Sequence, residues 1–150
     1  MDTKETLQSI DLLSGLTDEQ IKMLVPVTVL VENNKAEALF NVGQEANDLY
    51  ILLEGKISIQ VKLSSRPETV GIVVLQNRGQ LVGWSGLIGG SHYTAKALCQ
   101  EDSKLLQIDG EGLMKALESN PSAGFEVMRK IARVISNRMH NLQSVVLKTL

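Results

Sequence analysis

The sequence predicts an α+β protein: an antiparallel β-roll of the jelly-roll or double-stranded β-helix kind, flanked by an N-terminal helix and a long C-terminal helix. Three observations predict it. Apolar residues follow a helical spacing at both ends of the chain but alternate with polar ones in between. Turn signals interrupt the alternating region at short, near-regular intervals, as they do in barrels and rolls. Beyond Asn120-Pro121 the helical pattern runs to Leu150 without another breaker.

The elements follow in order. Thr17 with Gln20 three residues later fits a capping box, and Ile21, Leu24 and Val25 give that helix an apolar face before Pro26 stops it. VTVLVE (27–32) reads as a strand and Asn33-Asn34 as the turn after it. DLYILLEGKISIQVKL (48–63) is the clearest β signal. Leu49, Ile51 and Leu53 alternate, Glu54-Gly55-Lys56 turns, and Ile57, Ile59, Val61 and Leu63 alternate against Lys56, Ser58, Gln60 and Lys62. This pattern predicts a β-hairpin with one buried face. SSRPE (64–68) is a further turn, TVGIVVLQ (69–76) a strand, and SKLLQID (103–109) the last short strand. GLMKAL then forms a short helix. Asn120 caps the terminal one, with Pro121 at its first position.

The terminal helix is expected to run about 26 residues and about 40 Å. Met128, Ala132, Ile135, Met139, Leu142 and Val146 alternate at spacings of four and three along it, the stripe by which two helices pair. A small roll does not cover so long a stripe, so a homodimer through this helix is expected. Arg129, Lys130, Arg133, Arg138 and Lys148, with no acid after Glu126, read as a solvated basic face.

At 150 residues and 16.4 kDa one domain is expected, with helical residues about 1–26, roll about 27–108 and C-terminal helices about 109–150. A net charge of −2 gives no global field to attract nucleic acid or an anionic membrane. Cys99, the one cysteine, excludes an internal disulfide and reads as a small apolar strand residue. The N-terminus has no signal-peptide pattern and no apolar run approaches ~20 residues, so a cytoplasmic protein is expected, with no membrane partner. GWSGL lacks the second glycine of a nucleophile elbow, and GLIGG lacks the lysine of a P-loop. His92, His140 and Cys99 show no metal-ligand spacing. No catalytic residue, metal or certain cofactor is assigned.

Three segments in order carry a resemblance. ALFNVGQEANDLYILLEGKISI, LVGWSGLIGGSHYTAKA and IDGEGLMKALESNPSAGFEVMRKIARVISNRM look like the first hairpin, the phosphate-binding cassette and the C-terminal helices of cyclic-nucleotide-binding domains of the catabolite-activator type. The chain is similar to the stand-alone members with a Gly-Trp-Ser cassette. The resemblance implies a regulatory or sensor module, and a ligand site at Gly83, Trp84, Ser85, Gly86, Leu87, His92, Tyr93, Thr94 and Ala95. In the family, a glutamate accepts the ribose hydroxyl and an arginine grips the cyclic phosphate. Trp84 and Tyr93 stand at those two positions here, while Gly83, Gly86-Leu87 and Thr94-Ala95 keep the frame. Family transcription factors continue into a helix-turn-helix; this chain stops at Leu150, so no DNA binding is expected.

Magnitudes weigh the departure. Removing one side of a buried arginine–phosphate pair costs about 2–5 kcal/mol, and a hydroxyl–carboxylate bond is worth roughly 1.5–3 kcal/mol. Together they weaken binding about a thousandfold or more. Cyclic AMP and cyclic GMP are therefore not expected to bind in the usual way. The alternatives are a cyclic nucleotide or other small anion held by the altered cassette, and a ligand-free dimer docking on a partner protein. For an anion, the amides of Ser85, Gly86 and Leu87, the Thr94 hydroxyl, His92 and Lys96 are the available groups. Trp84 is either a plug filling the pocket or a flat wall for a planar ligand.

Overall fold

The structure is a computed structural model that describes residues 2–62, 69–89 and 92–149, with side chains through residue 144. Leu63, the 64–68 turn, Gly90, Ser91 and the side chain of Val146 lie outside the described residues.

The N-terminal helices are α1 (Thr3–Gln8) and α2 (Asp18–Leu24). The capping box at the start of α2 is formed: Gln20 N–H donates to the Thr17 hydroxyl at 3.2 Å, and Thr17 N–H donates to Gln20 Oε1 at 2.9 Å. Pro26 sits in the 3-10 turn that follows.

Among the described residues, eight strands build two antiparallel sheets. They are β1 (Thr28–Asn33), β2 (Ala38–Phe40), β3 (Asp48–Glu54), β4 (Ile57–Lys62), β5 (Thr69–Leu75), β6 (Leu81–Val82), β7 (Lys96–Cys99) and β8 (Ser103–Asp109). One sheet has the order β1-β8-β3-β6 and the other β2-β7-β4-β5. The strands, their turns and the flanking helices give the predicted α+β roll. The turn after β1 falls at Lys35-Ala36, not Asn33-Asn34, because Asn33 still pairs with Ser103.

The predicted hairpin is corrected in two respects. β3 and β4 do not pair: β3 lies between β8 and β6, and β4 between β7 and β5, so Glu54-Gly55-Lys56 carries the chain from one sheet to the other. Nor does β3 have one buried face. Leu49 and Ile51 enter the core under the helices, whereas Tyr50 and Leu52 enter the core between the sheets. A strand in the inner layer is covered on both sides, and its alternation then sorts side chains between two cores.

Two helices close the chain, α3 (Gly110–Ser119) and α4 (Pro121–Thr149). Asn120 accepts from Ala123 N–H at 3.3 Å, as the predicted cap. At 1.5 Å per residue, the 29 residues of α4 span about 43 Å. Val127 and Ile131 are its buried anchors in the helix-side core. Among the described residues, no helix is long and apolar enough to cross a membrane.

Candidate functional site

The segment that resembles a cassette begins where β6 ends. Gly83 adopts a left-handed conformation (φ +78°), and a Cβ there would stand 2.9 Å from the Phe40 ring and 3.2 Å from that of Tyr93. Only glycine meets both demands. Trp84–Gly86 form one 3-10 turn. A Cβ on Gly86 would lie 2.2 Å from the Asp48 carbonyl oxygen, so the turn rests directly on the β3 backbone. Leu87 is buried in the helix-side core. Gly86 and Leu87 N–H groups donate to the Gly83 and Trp84 carbonyls at 3.3 and 2.9 Å, so these amides are spent within the turn and are not offered to an anion.

Tyr93 is a packed core residue. It is 4% exposed, stacks on Phe40 with ring centroids 3.8 Å apart, and its hydroxyl donates to the Asp48 carbonyl at 2.5 Å. Burial, and then neighbouring Tyr50, push its hydroxyl well above the ordinary 10.0.

Trp84 is half-buried against the helix-side core, and above its ring lies Arg138 of α4. The guanidinium carbon is 5.2 Å from the ring centroid, and the same group donates to the Leu81 carbonyl. Arg138 is 7% exposed, and burial lowers its pKa to about 10. This corrects the reading of Arg138 as part of a solvated basic face. The signal was present: Val127, Ile131, Val134 and Arg138 follow one line at spacings of four, three and four, and the first two are core.

The remaining cavity is about 30 Å3, the share of one water molecule. Gly83, Trp84, Ser85, Tyr93, Thr94 and Ala95 line it, joined by Phe40, Ile59 and Arg138. Gly86, Leu87, His92 and Lys96 do not. His92 is exposed and bridges Glu45 through the backbone. Thr94 lies in an exposed bend, and β7 begins only at Lys96, so those two do not share a strand. Cys99 is buried in β7, as its reading required. Among the described residues, no group of three or more His, Cys, Asp or Glu side chains is placed to hold a metal ion.

Residues 30–120 match the family model of the cyclic nucleotide-binding domain, and the chain belongs to that family. Solved structures agree on the fold. A putative cyclic nucleotide-binding protein from Geobacter metallireducens GS-15 is 26% identical over 93% of this chain and 100% of its own, with a TM-score of 0.76. The sensor domain of the transcriptional regulator DNR from Pseudomonas aeruginosa is 20% identical over 91% of each chain, also at 0.76. The regulatory subunit of a cAMP-independent protein kinase A from Trypanosoma cruzi, bound to guanosine, is 17% identical over 97% of this chain and 49% of its own, at 0.77. No curated protein matches the chain.

Proposed function

We propose that this chain is a non-catalytic regulatory module of its family whose cassette persists as a packed structural element and does not take cyclic AMP or cyclic GMP in the usual way. The observation that carries this reading is the fate of Tyr93. At the position where the family's arginine grips the cyclic phosphate, its ring fills space against Phe40 and its hydroxyl is tied to Asp48. Trp84, at the glutamate position, offers no acceptor for a ribose hydroxyl and is itself covered by Arg138. The cavity between them is far smaller than a nucleotide. Of the two readings left open for Trp84, this favours the plug. Calorimetric titration with cyclic AMP and cyclic GMP tests it, and micromolar binding would overturn it.

We also propose that the module works as a homodimer through α4. Ala132 and Met139 of the stripe are exposed, Met139 at 59%, whereas Met128, Ile135 and Leu142 are half-buried. Phe125, 63% exposed and three residues before Met128, continues the same alternation by one position. A continuous apolar strip of this kind beside the core-facing line suits a second copy of the same helix. The mass in solution by light scattering tests the pairing.

A further inference from the structure

A second concavity lies outside the cassette. It is a groove of about 480 Å3 between α4 and the β5–β6 segment, within the size range of small-molecule sites. It shares only Arg138 with the cassette cavity. Its lining has two chemical sides. Val73 and Leu75 of β5, with Leu12 and Val134, form an apolar wall, and among the described residues Arg78, Lys130, Arg133 and Arg138 bring four cations against one carboxylate, Asp11.

Among the described residues, these cations meet mainly neutral oxygens. Arg78 Nη2 donates to the Ser9 hydroxyl at 3.1 Å. Lys130 donates to the Asp11 carbonyl at 2.8 Å and the Ser14 hydroxyl at 3.0 Å, with the Asp11 carboxylate further off at 3.8 Å. Arg133 stands exposed. Arg138 is buried, and its contacts are a carbonyl oxygen and an indole ring, with no carboxylate among the described residues in salt-bridge reach. A buried cation without a counter-ion is costly, and an arriving anion removes that cost. Planar guanidinium groups fit a phosphate by paired donors.

The groove is also free of the dimer stripe. At ~100° per residue, Lys130, Arg133 and Asn137 lie on the side of α4 opposite Met128, Ala132 and Met139. Pairing through the stripe leaves the groove open.

We propose that this groove binds a small phosphorylated molecule with an apolar body, its phosphate on the arginines and its body against Val73 and Leu75. Occupancy is felt at the cassette through Arg138, which touches Trp84, and Trp84 is the chain's one tryptophan. Failure here is separable from failure of the cassette reading, because the probes below carry neither ribose nor cyclic phosphate.

The test titrates phenyl phosphate, inorganic phosphate and phenol into the full chain at constant ionic strength, read by Trp84 fluorescence and calorimetry. Arg133→Ala removes an exposed groove cation. Arg129→Ala, paired with Glu126 and outside the groove, is the control for general charge. Saturable binding of phenyl phosphate is expected at millimolar concentration or below, tighter than for either fragment. Arg133→Ala should loosen it about tenfold, as loss of one charged hydrogen bond implies, and Arg129→Ala should not. No saturable response at millimolar concentration, or equal loosening by both variants, would overturn the proposal.

Discussion

The guanidinium of Arg138 lies 5.2 Å from the centroid of the Trp84 ring and donates to the carbonyl of Leu81, so the C-terminal helix seals the cassette turn from outside. The turn at Trp84 thus has a cation beside it. It comes from α4 and faces an indole, not from the β6–β7 segment to face a phosphate. Sealing by a buried cation has consequences for stability that can be measured.

Arg138 combines a favourable ring contact, worth about 0.5–2 kcal/mol, with the cost of an unpaired buried charge. Arg138→Met keeps most of the packing and removes the charge, so its unfolding free energy should stay within about 1 kcal/mol of wild type. Arg138→Ala loses the packing too and should cost about 1–3 kcal/mol. Urea unfolding midpoints decide between them, and both variants should alter Trp84 fluorescence.

Glycine replacements should rank by what a Cβ meets. Gly79→Ala places a Cβ in open space at φ +93° and should cost about 1–2 kcal/mol, the left-handed strain alone. Gly83→Ala adds a contact with Phe40 at 2.9 Å and should cost more. Gly86→Ala drives a Cβ to 2.2 Å from the Asp48 carbonyl oxygen, which is backbone and cannot yield. It should be the least stable of the three in thermal melts.

Tyr93 predicts an alkaline signature. Its folded pKa lies above the unfolded 10.0, so the native state holds the proton after the unfolded state has lost it. The stability this group contributes is therefore complete below pH 10 and declines as pH rises above it. Tyr93→Phe loses the bond to Asp48 and should be destabilised by about 0.5–1.5 kcal/mol at neutral pH. Its deficit relative to wild type should shrink above pH 10. A deficit constant across pH 8–11, measured by denaturant unfolding, would mean Tyr93 is not protected from ionisation.

Local signals in the sequence proved readable. The Thr17–Gln20 box, the Asn120 cap and the frame of Gly83 and Gly86 each depend on a few adjacent residues, and each is formed. Strand partnership was not readable. Alternation assigns a residue to a face but not to a neighbour, so DLYILLEGKISIQVKL looked like a hairpin although its halves belong to opposite sheets. Arg138 was misread for a related reason. An arginine in a basic run resembles a solvated one until the helix is docked, and only its register with Val127 and Ile131 marks it as inward. That α4 covers the Trp84 turn was not legible.

The dimer prediction follows from exposed residues, so its variants should leave the fold intact. Ala132→Glu with Met139→Glu places like charges in the seam of paired helices. Size-exclusion chromatography with light scattering should give a dimer for wild type and a monomer for the double variant, with unchanged circular dichroism. A monomeric wild type would leave the stripe without this role.

Under the proposed function the 83–87 turn keeps its backbone without its ligand chemistry, and calorimetry with cyclic AMP addresses this most directly. Wild type should bind more weakly than ~100 µM, the level implied by the missing arginine and glutamate interactions. Trp84→Glu combined with Tyr93→Arg should recover more affinity than the two single changes added, because groups that orient one ligand act together. Folded protein must be confirmed for each variant, since Tyr93 is a core residue. Micromolar binding of cyclic AMP by the wild type would contradict the claim.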